Sequence, residues 1–146
     1  MITVGHVFAS LELSNPREPN LLPLQVTALV DTGALMLCLP EGVAKQLNLQ
    51  PESLRAVSFA DGRGADAPYV GPVKVAFGER FCHVGALILG DEVLLGAVPM
   101  EDMDLVVHPG KRELTVNPEY PNMPHARVKR WGGKDQKNLL QQKLQG

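Results

Sequence analysis

Apolar and polar positions alternate from Val4 to Leu13, the period of two that marks a strand with one buried face. Asn15-Pro16-Arg17-Glu18-Pro19-Asn20 interrupts the alternation as a turn. A second strand is expected over Leu22 to Val30, and a third over Leu35 to Leu39, closed by Pro40. The period then lengthens. Val43, Ala44 and Leu47 share one face of a short helix between Glu41 and Leu49, which Pro51 ends. Arg55 to Phe59 and Tyr69 to Phe77 are expected as the strands of a mobile hairpin around Ala60 to Pro68, because Asp61-Gly62 is a strong turn signal. Strands over Arg80 to Leu89 and Val93 to Gly96 follow, separated by Gly90-Asp91-Glu92. Val98 to Asp104 suits one or two helical turns. Leu105 to His108 and Glu113 to Val116 then form a closing hairpin across Pro109-Gly110-Lys111-Arg112. Short strands, many turns and at most two short helices predict an all-β domain.

The chain has 146 residues, 45% of them hydrophobic, enough for one domain with its own core. Pro118, Pro121 and Pro124 mark the end of that body, so residues 1–118 are expected to fold and 119–146 to form a flexible tail. The net charge of −2 hides a division between the two parts. From Pro121 onward, Arg127, Lys129, Arg130, Lys134, Lys137 and Lys143 face a single acid, Asp135. The rest of the chain is acidic. Leu139, Leu140 and Leu144 could lie on a short helix in the tail, although an isolated helix of that length is marginal in water. Nucleic acid is not expected as a partner, but the basic tail with Trp131 as an anchor leaves that reading open.

No apolar run approaches the ~20 residues that span a bilayer. The N-terminus shows no basic segment leading into an apolar core, so a soluble cytoplasmic protein is expected. Cys38 and Cys82 form no CxxC pair and read as buried thiols; His6, His83, His108 and His125 lack metal-ligand spacing. No metal or cofactor is expected, and no phosphate loop, dinucleotide fingerprint or nucleophile elbow is present.

One stretch carries chemistry. Ala28-Leu29-Val30 delivers Asp31 onto a turn of Thr32, Gly33 and Ala34. Among residues that are normally buried, the carboxylate is expected out of bulk water and therefore hydrogen-bonded, paired or shifted in its proton affinity. The competing reading is a turn aspartate that caps its own loop. Two later elements weigh against that reading: the Asp61-Gly62 hairpin and Leu94-Leu95-Gly96. Taken in order, these three features resemble the retropepsin-like aspartic proteases, the single-domain family that includes retroviral proteases and bacterial relatives. The resemblance covers about Thr3 to Asn117, and Pro99 to Pro109 continues the pattern of cellular members.

The resemblance implies a closed, barrel-like acid-protease fold that works as a two-fold homodimer. Asp31 would be the catalytic acid–base group, with Thr32 locking the two loops together across the dimer. Gly33 would allow close approach of backbone to carboxylate and substrate, and Ala34 would line the pocket floor. Asp61, Gly62, Arg63 and Gly64 would form a flap over an extended peptide bound by strand addition. Leu94, Leu95 and Gly96 would support the active-site loop, Gly96 by backbone packing. The hairpin departs from the glycine-rich retroviral flap in carrying Asp61, Arg63 and Asp66. The acids Glu101, Asp102 and Asp104 read as a solvated helix edge. Hydrolysis by carboxylates needs two of them around one water, and only one Asp-Thr-Gly is present. The implied function is an aspartic endopeptidase whose water is activated by two Asp31 carboxylates. The alternative is a catalytically silent module that keeps the fold for dimerisation or peptide binding, its basic tail recruiting a partner.

Overall fold

The computed structural model describes residues 6–129 and 142–144. Within residues 6–129, nine strands and two short helices follow in chain order: β1 (Val7–Ser14), β2 (Leu24–Val30), β3 (Leu37–Leu39), α1 (Glu41–Gln46), β4 (Pro51–Ser58), β5 (Gly64–Phe77), β6 (Arg80–Ile88), β7 (Val93–Leu95), α2 (Ala97–Asp102), β8 (Leu105–His108) and β9 (Glu113–Val116). Seven strands form one sheet in the order β1-β2-β7-β3-β6-β5-β4, and an additional β1–β5 pairing closes six of them into a barrel. β8 and β9 make a separate two-stranded sheet, the hairpin expected from the sequence, with Leu105 opposite Val116 and His108 opposite Glu113. The all-β expectation holds, with a retropepsin-like barrel and two short helices.

Alternation decides what fills the barrel. Val7, Ala9, Leu11 and Leu13 of β1 are buried while the residues between them are exposed or half-buried. Leu37, Leu39, Val70, Val73, Val75, Ala86 and Leu95 meet them inside. Each fully buried Leu or Val removes its side chain from water, worth about 1.5–3 kcal/mol. β5 is long because it serves three neighbours: β4 along Gly64–Val70, β6 along Tyr69–Phe77, and β1 at Lys74–Ala76. It turns between them at Gly71-Pro72, where the β6 register shifts and Gly71 adopts φ +149°.

The hairpin is longer than its sequence pattern suggests. β4 begins at Pro51 and β5 at Gly64, so Gly64 to Pro68, expected as loop, is paired strand. The reason is cross-strand pairing: Ala65, Asp66 and Ala67 have weak strand preference alone but align with Val57, Ala56 and Arg55. The helix over Glu41 to Leu49 is shorter than expected, ending at Gln46, with Asn48 left-handed at φ +52°.

The expected tail also begins while the chain is still attached. Arg80 occupies an inward position of β6 and is buried. Its guanidinium donates to the carbonyls of Met103 (3.1 Å), Asp104 (2.9 Å) and Tyr120. Asp104 accepts from Asn117 Nδ2 at 3.1 Å and from the His125 backbone N–H at 2.9 Å. The Tyr120 and His125 rings stack 4.0 Å apart. Residues beyond 118 are thus tied to the barrel as far as His125, and Asp104 is a junction rather than a solvated helix edge. Trp131, Leu139 and Leu140 lie outside the described residues. Among the described residues no helix is long and apolar enough to cross a membrane.

Candidate active site

The sheet order explains the loop that carries Asp31. β7 lies between β2 and β3, parallel to the first and antiparallel to the second. A chain leaving β2 must step over the end of β7 to reach β3, and Asp31 to Met36 makes that crossing. Backbone bonds pin it at three points: Asp31 N–H to the Leu95 carbonyl (3.0 Å), Ala97 N–H to Ala34 (2.9 Å) and Val98 N–H to Leu35 (2.9 Å). Directly under the crossing sits Gly96. A Cβ there would stand 2.7 Å from the Leu35 carbonyl carbon and 2.8 Å from its oxygen, with the Met36 carbonyl closer still. Only glycine permits this approach.

Within the loop, Asp31 Oδ1 accepts the Gly33 N–H at 3.0 Å, and a Cβ on Gly33 would come within 3.2 Å of the same oxygen. Ala34 N–H closes the turn on the Asp31 carbonyl at 3.1 Å. Asp31 is therefore hydrogen-bonded, as its setting demanded, but it is not buried: the residue is half-exposed, and Thr32 and Gly33 are exposed. Of the apolar neighbours that suggested burial, Ala28, Val30 and Leu95 belong to the barrel core, whereas the turn stands at its rim. Leu35, in the same loop, leaves 67% of its surface in water, and Val98, bonded to it, leaves 42%.

An apolar row crosses the outer face of the barrel beside this loop. Register places Phe8 next to Leu29, Leu29 next to Leu94, Leu94 next to Cys38, Cys38 next to Leu87, and Leu87 next to Tyr69. Leu29 precedes Asp31 by two residues, so strand periodicity directs both to one side. Cys38 and Leu87 are buried in a small cluster with Ala67 of the hairpin, against which Met36, Val57, Tyr69 and Leu94 pack. Burial pushes the Cys38 thiol above its ordinary value, and the negative charge of Asp31 adds to the rise. Leu94 is expected from the sequence as loop support, and the rest of this row is not marked by any motif. Its members are alternate residues of neighbouring strands, which only the register brings side by side.

The hairpin tip is built as its turn residues dictate. Gly62 N–H bonds to the Phe59 carbonyl and Phe59 N–H to Arg63, with Gly62 at φ +90°. Asp61 braces the turn, accepting from the Arg63 backbone at 3.0 Å and from its Nε at 2.7 Å. Both side chains are largely exposed, so this ion pair shapes the tip more than it stabilises the fold. Asp61, Gly62, Arg63 and Gly64 thus share one turn, away from the Asp31 loop in sequence but joined to the cluster beneath through Ala67 and Val57. A cleft of about 570 Å³ along Val98, Asp102, Tyr120 and Arg127 contains none of the loop residues. Among the described residues no group of three or more His, Cys, Asp or Glu could hold a metal ion.

Comparison with known proteins adds to this geometry. A family model described as gag-polyprotein putative aspartyl protease matches residues 23–112, a span that runs from the start of β2 through the crossing, the hairpin and Gly96 to the β8–β9 turn. No curated protein matches the chain. An Asp-Thr-Gly crossing pinned to a Leu-Leu-Gly strand in a closed six-stranded barrel, inside a family match covering most of the chain, shows that the chain belongs to the retropepsin-like gag-polyprotein aspartyl protease family.

Proposed function

We propose that this chain is an aspartic endopeptidase that acts as a two-fold homodimer on extended peptides. The observation that carries the reading is the half-exposed Asp31 carboxylate, fixed by Gly33 N–H on a loop pinned at the barrel rim. Carboxylate-driven peptide hydrolysis needs a second such group: one accepts a proton from the attacking water, the other polarises or protonates the scissile carbonyl. Two copies related by a two-fold axis supply both from one sequence. The pair would share one proton, because two carboxylates this close do not both ionise cheaply. Thr32 would bond to the partner loop and Ala34 would floor the pocket. Leu35 and Val98 give the dimer apolar surface to cover beside the loop. The hairpin from Pro51 to Phe77 would lie over a peptide whose apolar side chains seat on the half-buried Leu29 and Leu94.

The test is a pH–rate profile with concentration dependence. An acid-side bell is expected, with loss of at least about 100-fold for Asp31→Asn and block by a pepstatin-type inhibitor. Specific activity should fall on dilution through the dimer dissociation constant. Full cleavage by Asp31→Asn would sink the mechanism and favour a silent peptide-binding module. Constant specific activity at high dilution would sink the dimer.

A further inference from the structure

In an antiparallel hairpin, residues directly opposite one another point to the same face. Arg55 is opposite Ala67, Val57 opposite Ala65, and Ser53 opposite Tyr69. Ala67 is buried against Cys38 and Leu87, and Val57 and Tyr69 pack on the same cluster. Arg55 therefore lies on the hairpin face turned to the apolar row. Its guanidinium stands 4.1 Å from the Tyr69 ring centroid, and Nη1 donates to Met36 Sδ at 3.5 Å. Met36 ends the crossing that begins at Asp31.

Nothing here neutralises the cation. A ring face and a thioether orient a guanidinium without cancelling its charge. Of the hairpin's own acids, Glu52 pairs with Arg17, Asp61 pairs with Arg63 at the tip, and Asp66 is opposite Ala56, on the other face. Among the described residues no carboxylate lies within salt-bridge distance of Arg55.

We infer that Arg55 is a specificity-determining residue, selecting extended peptides with an Asp or Glu side chain at one end of an apolar segment. The inference rests on the protease reading above. Tyr69 lies three strands from the half-buried Leu94 in the row, about 14 Å at ordinary inter-strand spacing. An extended peptide covers that distance in about four residues, which sets the separation between apolar anchor and acid. In the dimer each protomer contributes one Arg55, so an acid on either side of the scissile bond is read. A charge-assisted pair at a partly exposed site supports about three- to tenfold discrimination. The effect falls on KM, because the acid is held equally in ground and transition states.

The experiment uses the full chain and peptides with one apolar centre, varied among Glu, Gln and Lys at a single flanking position. The expected result is a lower KM for Glu than for Gln by about three- to tenfold. Arg55→Met, which keeps an apolar stem on Tyr69, loses that preference, and Arg55→Glu turns it toward Lys. Equal KM for Glu and Gln peptides with the parent overturns the inference and leaves the protease reading standing. Uniform slowing of all peptides by Arg55→Met likewise overturns it, assigning Arg55 to structure alone. Binding of the same peptides to Asp31→Asn, measured by calorimetry, is independent of turnover: tighter Glu binding supports the inference, equal binding overturns it. Cleavage that does not depend on Asp31 refutes the protease reading separately, and the binding arm then decides the role of Arg55.

Discussion

Replacing Gly96 with Ala adds one methyl group where the chain crosses itself. The new Cβ would stand 2.7 Å from the Leu35 carbonyl carbon and 2.8 Å from its oxygen. Unstrained carbon contacts lie at about 3.5–4.0 Å, so the crossing and the strand must part by about 1 Å. Both sides of the clash are backbone, and no side chain can rotate away. Parting them stretches the Ala97–Ala34 and Val98–Leu35 bonds, each now 2.9 Å. Two backbone bonds at about 0.5–1.5 kcal/mol each, with an overpacking cost of about 1–3 kcal/mol, give a loss of about 2–6 kcal/mol. Domains of this kind are stable by about 5–15 kcal/mol, so the variant should be severely weakened or unfolded. Urea denaturation with an unchanged m-value measures it. Gly42→Ala is the control: Gly42 lies in α1, nothing stands within 4 Å of an added Cβ, and its φ is not positive. It should gain about 0.5–1 kcal/mol. If Gly96→Ala unfolded at the parent's midpoint while Gly42→Ala behaved as expected, the close crossing would be refuted.

Arg80→Met should cost about 2–4 kcal/mol, because three carbonyl acceptors lose a buried donor. Hydrogen exchange should show faster opening at residues 119–125; unchanged exchange there would contradict the anchoring. Asp104 is held below its ordinary value near 3.8, first by the His125 N–H, then by Asn117 and Arg80, against an opposing desolvation. A depressed carboxylate contributes stability above its unfolded value, and that stability is lost as pH falls from about 3.8 through the folded value. Asp104→Asn should therefore show a smaller drop in urea midpoint between neutral pH and pH 3 than the parent does; an equal drop refutes the assignment. Burial, with Asp102 adding to it, pushes the Cys82 thiol up from 9.0 to about 12. Native Cys82 should alkylate orders of magnitude more slowly at pH 8 than in urea, read by mass spectrometry, and rapid native labelling would contradict its burial.

Period-two patterning made β1, β2 and β6 legible, and turn residues marked the two strands of the β8–β9 hairpin. β4 was harder to place, since seven of its eight residues are exposed and no alternation marks it. Its start at Pro51 and the strand character of Ala65 to Ala67 come from pairing, not from local preference. Of the site, Asp31 to Ala34 and the supporting Gly96 could be read because the local residue types are restrictive. The exposure of Asp31 could not, because composition cannot separate a buried turn from one on a barrel rim. Arg80 was invisible for a related reason: an Arg at the start of a strand looks like a surface charge until the alternation of β6 turns it inward. Gly85 is similar, its missing side chain making room for the Tyr69 ring.

The crossing at Asp31 joins residues some sixty positions apart, since its three pins reach Leu95, Ala97 and Val98. Contacts this distant form late, after loop closure has been overcome. A chain emerging from the ribosome therefore holds its aspartate on an unfastened segment until β7 and α2 have been made. Assembly of the candidate centre is coupled to completion of the barrel, and an unfinished chain carries the residue without the geometry that would arm it.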